Sequence, residues 1–135
     1  MARTSIHLDS FAHENPVPAA SRIGPFLYSG VLTGRDPRTK VIPQDLDGQL
    51  SEVFDRIRDV MAAAGGGVDD IIKLTFWVAD YRDRAALNRE WTAMFPDERS
   101  RPARQVMAAQ LDRGSLVQCD LVAVLPTGDS EATAR

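Results

Sequence analysis

Residues 44–78 read QDLDGQLSEVFDRIRDVMAAAGGGVDDIIKLTFWV, and this stretch decides the fold because two elements of different periodicity follow each other in it. In residues 44–64 the apolar side chains recur at spacings of three and four, which predicts a long amphipathic helix with one buried stripe. That stripe consists of Leu46, Leu50, Val53, Phe54, Ile57, Val60, Met61 and Ala64. Three glycines at 65–67 end the helix, since glycine readily adopts the left-handed conformation common at helix C-termini.

The segment after the glycines predicts a strand. Residues 71–78 are rich in β-branched and aromatic side chains, which favour extended structure. Upstream, residues 15–24 are rich in turn formers and predict an ordered loop. Residues 25–33 predict a buried strand interrupted at Gly30, because a glycine within a strand pattern indicates a bulge or a close backbone approach.

Downstream, residues 81–95 predict a second helix with Asp80 or Asp83 as its cap. Its buried face would consist of Leu87, Trp91, Met94 and Phe95, and Pro96 ends it. Two further strands are predicted at residues 103–109 and 116–125. Residues 1–126 therefore form a single domain, and the small, polar residues 127–135 predict a disordered tail.

This order of elements predicts an α+β fold, with one mixed sheet and both helices on one of its faces. Trp77, Val106 and Val124 alternate with other apolar positions along their strands, so the second face of the sheet is apolar as well. Two helices cover only one face. The uncovered apolar face therefore predicts association between subunits.

Composition narrows the class of protein. The chain has 135 residues, of which 44% are hydrophobic and 26% charged, as in an ordinary soluble domain. No stretch reaches the roughly 18 consecutive apolar residues of a membrane span, and the N-terminus lacks the apolar segment of a secretory signal. With Cys119 as its single cysteine the chain forms no intramolecular disulfide, which favours the cytoplasm.

Charge and histidine content disfavour two further classes of function. The net charge is -3, and the basic residues are scattered except for Arg99, Arg101 and Arg104, so a nucleic-acid partner is not expected. The two histidines, His7 and His13, are predicted to be solvated strand or loop residues. Because the chain also has no Cys-x-x-Cys motif, no metal site is expected.

Four segments resemble the RidA/YjgF family in order and spacing. They are Ile-Gly-Pro-Phe-Leu-Tyr-Ser-Gly at 23–30, the helix end Ala-Ala-Ala-Gly at 62–65, Asp-Asp-Ile-Ile-Lys-Leu-Thr at 69–75, and Arg-Pro-Ala-Arg at 101–104 followed by the strand at 116–124. The last of these is the most specific, since a Pro-Ala-Arg triplet that opens a late strand is the family's signature. The resemblance covers roughly residues 15–126.

This resemblance implies a chorismate-mutase-like fold that assembles as a homotrimer with a ligand cleft between neighbouring subunits. It also implies an enamine/imine deaminase, a hydrolase that converts reactive intermediates such as 2-aminoacrylate to 2-keto acids and ammonia. No metal and no organic cofactor is implied. The alternatives are a non-catalytic module that binds a small carboxylate, and a pathway-specific relative that acts on another substrate.

The resemblance also implies binding residues. Arg104 matches the arginine that pairs with the substrate carboxylate, a role that suits the planar, paired donors of a guanidinium, although an interchain salt bridge is the alternative. Ser29 matches a serine near the pocket, or is a strand hydroxyl bonded to the backbone. Asn88 matches a helix asparagine that supports the pocket, or is solvated. Val106 matches a position whose backbone amide and carbonyl contact substrate.

The catalytic position departs from the family pattern. Deaminating members carry a glutamate on the last strand that positions or activates water, and alignment of the last strands puts Gln118 there. Asp120 lies two residues later on the same strand face and becomes the equivalent residue if the alignment slips by that distance. Glutamine orients water but does not take up a proton at neutral pH, so the two candidates imply different chemistry. Cys119, between them, is predicted to be buried and inert.

Overall fold

The computed structural model describes residues 2–9 and 15–126. The predicted disordered tail at 127–135 lies outside this described part. In chain order the elements are β1 (Thr4–Ile6), β2 (Ala20–Ile23), β3 (Phe26–Ser29), β4 (Leu32–Thr33), α1 (Leu46–Ala63), a 3-10 turn (Val68–Asp70), β5 (Ile71–Val78), α2 (Ala85–Met94), β6 (Ala103–Ala108) and β7 (Val117–Val124).

The long helix predicted at 44–64 is confirmed as α1. It begins after Asp45, whose carboxylate accepts a hydrogen bond from the amide of Gly48 and so satisfies one of the free donors of the first turn. Within the apolar stripe, Leu46 is half-buried and the other members are buried. At the C-terminus Gly65 adopts a φ of 82°, and the amide of Gly66 donates back to the carbonyl of Met61, as in a glycine-terminated helix.

The strand predicted at 25–33 is confirmed with its interruption, because β3 ends at Ser29 and β4 begins at Leu32. The prediction that it is buried is wrong for one face, where Phe26 and Tyr28 are exposed. The loop predicted at 15–24 is wrong over its second half, where residues 20–23 form β2 and pair antiparallel with β3. Gly24 adopts a φ of 57° and reverses the chain into this hairpin. The turn formers therefore mark only the ends of β2, whereas the strand itself is stabilised by its partner.

The second helix is shorter than predicted, since α2 begins at Ala85 rather than at residue 81. Asp80 does not cap it. Its carboxylate instead accepts hydrogen bonds from the backbone amide and the guanidinium of Arg82, which lowers the pKa of Asp80 to about 2. Asp83 is not the cap either, because Arg84 occupies the N-cap position without a capping side-chain bond. The predicted buried face is confirmed, since its four members are buried: Leu87, Trp91, Met94 and Phe95.

The sheet is mixed, as predicted, with the strand order β1-β2-β3-β7-β5-β6 and β4 paired to β7. β5 runs parallel to β6, and the other pairs are antiparallel. Phe76 of β5 stacks on Phe54 of α1 at 5.7 Å and meets Trp91 of α2 edge-on at 6.4 Å between ring centroids. One side chain thus contacts both helices, which confirms that they cover the same face.

The opposite face of the sheet is open and carries large apolar side chains. Phe26 is paired with Val124 across β3 and β7, and its side chain is 56% exposed. Trp77 and Val124 lie on this face, whereas Val106 does not. In register with Phe76, Val106 packs against the core on the helix-covered face, so its assignment to the outer face is wrong.

Gln49 of α1 ties the helix to two loops and is fully buried. Its amide nitrogen donates to the carbonyls of Pro43 (2.7 Å) and Gly114 (3.0 Å), and its side-chain oxygen accepts from the amide of Leu116 (2.7 Å). These bonds satisfy backbone groups just before β7 and so fix where that strand enters the sheet. In the described part of the chain, no helix is long and apolar enough to cross a membrane.

We expect Gln49→Ala to lower the free energy of unfolding by about 3 kcal/mol, because it removes three hydrogen bonds to the backbone and leaves a cavity where a fully buried side chain was. Urea denaturation at fixed protein concentration measures this change. Gln44→Ala, at an exposed position just before α1, is the matched control and should change the value by less than about 0.5 kcal/mol. Equal effects of the two substitutions would contradict the role given to the Gln49 bonds.

Candidate functional site

The candidate site is built around Arg104, on strand β6 at the edge of the sheet. Arg104 is in register with Leu74, so its side chain points to the helix-covered face, toward α2. There the guanidinium carbon lies 5.0 Å from the centroid of the Trp91 ring, and one terminal nitrogen donates to the side-chain oxygen of Asn88 at 2.9 Å. Two residues of α2, one apolar and one polar, therefore hold the guanidinium in place.

The electrostatics of Arg104 favour an anion. Partial burial lowers the pKa of Arg104 from its usual value, and the positive charge of Arg84 lowers it further, yet a guanidinium remains charged at any physiological pH. Within the described residues, Arg104 forms no ion pair with an acidic side chain. Its donors beyond the one bonded to Asn88 are suited to a carboxylate, which accepts two parallel N–H bonds from a guanidinium.

The backbone next to Arg104 offers further hydrogen-bonding groups. The amide of Ala109 donates to the carbonyl of Val78, so the odd-numbered residues at this end of β6 form the backbone hydrogen bonds to β5. Successive peptide groups of a strand point to opposite edges, hence the amide and carbonyl of Val106 point away from β5. β6 is the last strand in the order of the sheet, so this edge is open within the described chain.

The structure brings together three of the six residues predicted for the site. Arg104, Asn88 and the backbone of Val106 lie at one edge. Ser29 is elsewhere in the sheet, where its hydroxyl accepts a bond from the amide of Leu121 (2.9 Å) and donates to the carbonyl of Gly30 (2.8 Å). Both bonds go to the backbone, so Ser29 fastens β3 to β7 in the single chain, and its contact with a ligand stays a prediction.

Gln118 and Asp120 lie on the opposite, open face of the sheet. They are in register with Trp77 and Thr75 of β5, while Arg104 is in register with Leu74. Side chains alternate along β5, so Arg104 and the pair Gln118 and Asp120 emerge on different sides. Within one chain these residues cannot line a common pocket.

Three residues near these positions were missed as site residues by the sequence analysis. Trp91 was assigned to the core alone, although its ring also supports Arg104. Arg84 precedes Asn88 by four residues and Trp91 by seven. This spacing places the three side chains on one face of a helix, and it could have indicated Arg84 from the sequence. Thr33 has a buried hydroxyl without a hydrogen-bond partner and is in register with Gln118. No sequence pattern marks it.

Cys119 and His7 contribute no reactive group to this edge. Cys119 is fully buried as predicted, and burial raises the pKa of its thiol, so the nucleophilic thiolate is not populated at neutral pH. His7 is exposed, and His13 lies outside the described residues. Among the residues that the structure describes, no three His, Cys, Asp or Glu side chains are grouped as metal ligands.

Comparison with known proteins gives the family. The sequence profile described as Endoribonuclease L-PSP matches residues 9–125. The 2-iminobutanoate/2-iminopropanoate deaminase of Salmonella typhimurium is 32% identical over 126 residues, which cover 85% of this chain and 96% of that protein. A RutC family protein of Synechocystis is 35% identical over 105 residues, which cover 76% of this chain and 80% of that protein.

Solved structures agree with this comparison. The YjgF gene product of Escherichia coli superposes with a TM-score of 0.82 at 25% identity, covering 90% of this chain and 98% of that one. RidA from an Antarctic Psychrobacter superposes with a TM-score of 0.83 at 26% identity, covering 90% and 99%. Fold and geometry thus define a small α+β protein with an arginine-centred candidate site at the edge of its sheet. The chain belongs to the Endoribonuclease L-PSP family, the family of the RidA and YjgF proteins.

Proposed function

We propose that this protein hydrolyses reactive enamine and imine acids of the 2-aminoacrylate type to 2-keto acids and ammonia. The observation that carries the proposal is the guanidinium of Arg104, held by Asn88 and Trp91 beside the open backbone edge at Val106. Such substrates have a carboxylate next to the reacting carbon, which is the group a guanidinium binds bidentately. The deaminase of Salmonella typhimurium, at 32% identity, supports the same reaction class.

The reaction needs little from the protein beyond positioning. Protonation of 2-aminoacrylate at its methylene carbon gives the iminium ion, the protonated imine. Water adds to the iminium carbon and loses a proton, and the resulting carbinolamine releases ammonia to leave pyruvate. A site that holds the carboxylate and one water in line accelerates these steps by orientation and electrostatics. In this proposal Arg104 binds the carboxylate, and the backbone of Val106 contacts the reacting end of the substrate.

The water would be held by Gln118 or Asp120 of a neighbouring copy in a homotrimer. Two observations support this arrangement. Arg104 and these two residues emerge on opposite faces of one chain, so a shared pocket requires a second copy. The open sheet face also carries Phe26, at 56% exposure, and Tyr28, at 61%, an apolar surface of the kind that subunits cover. Asp120 can accept a proton, whereas Gln118 can only orient the water.

A second candidate function is a non-catalytic module that binds a small carboxylate, such as a keto acid. The specific observation in its favour is Gln118, which stands at the position where the deaminating pattern has a glutamate. Binding would then use Arg104, Asn88 and the Val106 backbone without turnover. For both functions we propose a cytoplasmic location, and neither proposal involves a metal or an organic cofactor.

Arg104→Ala should lower kcat/KM for 2-aminoacrylate by about a hundredfold or more, because a charge-assisted bidentate contact is lost. The substrate is generated in situ by a pyridoxal-phosphate lyase, and pyruvate formation is followed. Arg99→Ala removes an exposed arginine nearby and should leave the rate unchanged. Gln118→Ala and Asp120→Asn, assayed in the same way, assign the water to one of the two positions.

If the wild type forms pyruvate no faster than the uncatalysed reaction, and Arg104→Ala behaves identically, the deaminase proposal is wrong. Calorimetric titration with 2-oxobutanoate then distinguishes the second candidate. The binding module predicts affinity for this keto acid that Arg104→Ala removes.

The proposed trimer predicts a sedimenting particle of three chains of 14.8 kDa each. Tyr28→Glu places a charge on the open apolar face and should shift the particle toward the monomer at micromolar concentration. Val41→Glu, at an equally exposed apolar position in a loop outside the sheet, is the matched control and should leave the trimer intact. A wild-type monomer at that concentration would contradict the proposal.

A further inference from the structure

Arg84 is a second arginine beside the candidate site. It lies one helical turn before Asn88, whose backbone amide donates to the carbonyl of Arg84 at 2.9 Å, and the side chain of Asn88 in turn holds Arg104. The charge of Arg84 also lowers the pKa of Arg104, so the two positive groups act on each other. Asn88 therefore contacts both arginines, the backbone of Arg84 through its amide and the guanidinium of Arg104 through its side chain.

The guanidinium of Arg84 is held in position without being neutralised. Its central carbon lies 4.0 Å from the centroid of the Tyr81 ring, and a guanidinium stacked in this way keeps its in-plane N–H donors available. Within the described residues no acidic side chain forms an ion pair with Arg84, and its buried Nε has no hydrogen-bond partner. A guanidinium that has no acidic partner within the described chain can bind an anion through its terminal N–H donors.

Two neighbouring arginines, unlike Arg84, form ion pairs with acidic side chains of the described chain itself. Arg82, two residues earlier, is paired with Asp80 at 2.9 Å, and Arg89, also on α2, is paired with Asp47 at 3.0 Å. Both are neutralised by the protein itself. Arg84 and Arg104 instead form a pair of like charges, which is unfavourable until negative charge is placed beside them.

We propose that Arg84 and Arg104 together select substrates with two anionic groups, namely dicarboxylic 2-imino or 2-keto acids. Arg104 takes the carboxylate next to the reacting carbon, and Arg84 takes the carboxylate at the far end of the molecule. This inference rests on the proposed function and narrows its substrate class. Arg84 is then a specificity-determining residue that contacts the substrate away from the reacting atoms.

The test compares 2-oxoglutarate with 2-oxopentanoate, two five-carbon 2-keto acids that differ by the terminal carboxylate. In calorimetric titrations of the full chain we expect the wild type to bind 2-oxoglutarate about tenfold or more tightly than 2-oxopentanoate, since one additional charge-assisted contact is made. Arg84→Gln should reduce this ratio to near one, because only 2-oxoglutarate loses a contact. The ratio should also fall as salt is raised, since Arg84 is partly exposed.

Arg82→Gln is the matched control, because it removes an arginine two residues away whose charge Asp80 already balances. It should preserve the ratio. A wild type without preference for 2-oxoglutarate, or a preference that survives in Arg84→Gln, would overturn the inference while leaving the Arg104 pocket in place. If Arg104→Ala changes the affinity for neither acid, the carboxylate pocket of the proposed function fails, and this inference fails with it.

Discussion

The alternation of side chains along β5 is the constraint on which the rest of the structure depends. β5 lies between β6 and β7, so its register determines which side chains of those two strands share a face. Leu74, Phe76 and Val78 point to the helices and are buried, and Arg104 follows Leu74 to that side. A shift of one residue in this register would move every side chain to the other face. The position of Arg104 next to α2 is therefore a consequence of core packing.

The same alternation gives the two faces of the sheet different roles. On the covered side, the rings of Phe54, Phe76 and Trp91 join both helices to the central strand, and Trp91 also supports Arg104. On the open side, apolar side chains of β3 and β7 remain exposed beside Gln118 and Asp120. A chain that separates Arg104, the residue proposed to bind the carboxylate, from the two candidates for positioning water suits a site completed by a second copy. This link between packing and assembly supports the proposed homotrimer.

The helices and strands could be predicted from the sequence where a local pattern determines them. The spacing of apolar residues gave α1 to within two residues, and the β-branched run gave β5 without error. The start of α2 was wrong because Asp80 bonds to Arg82 and closes a turn of its own, which competes with capping. β2 was missed because its stability comes from pairing with β3, a tertiary contact. Gln49 was overlooked since nothing in a helical pattern shows that its amide reaches loops far along the chain.

The residues of the candidate site also divide into those that the sequence predicts and those whose position depends on tertiary contacts. Arg104 could be predicted because it lies in a segment that resembles the family, and Asn88 because it matches a recurring helix asparagine of that family; the contact between them is present in the structure. Arg84 was missed although its spacing places it on one helical face with Asn88 and Trp91, because only the folded chain shows that this face of α2 approaches β6. The opposite faces of Arg104 and Gln118 also followed from register rather than from any motif. Sequence patterns thus identified the chemistry of individual residues, and the packing determined which of them can act together.

A subunit-mixing experiment tests the central claim, a site shared between two copies, most directly. Two variants are co-expressed with different tags: Arg104→Ala, and a double variant with Gln118→Ala and Asp120→Ala. Trimers that carry both tags are then purified. If each site takes Arg104 from one copy and the last strand from its neighbour, every mixed trimer contains one intact site and should show about one third of wild-type activity. Mixed trimers that are as inactive as the homotrimer of either variant would contradict the account.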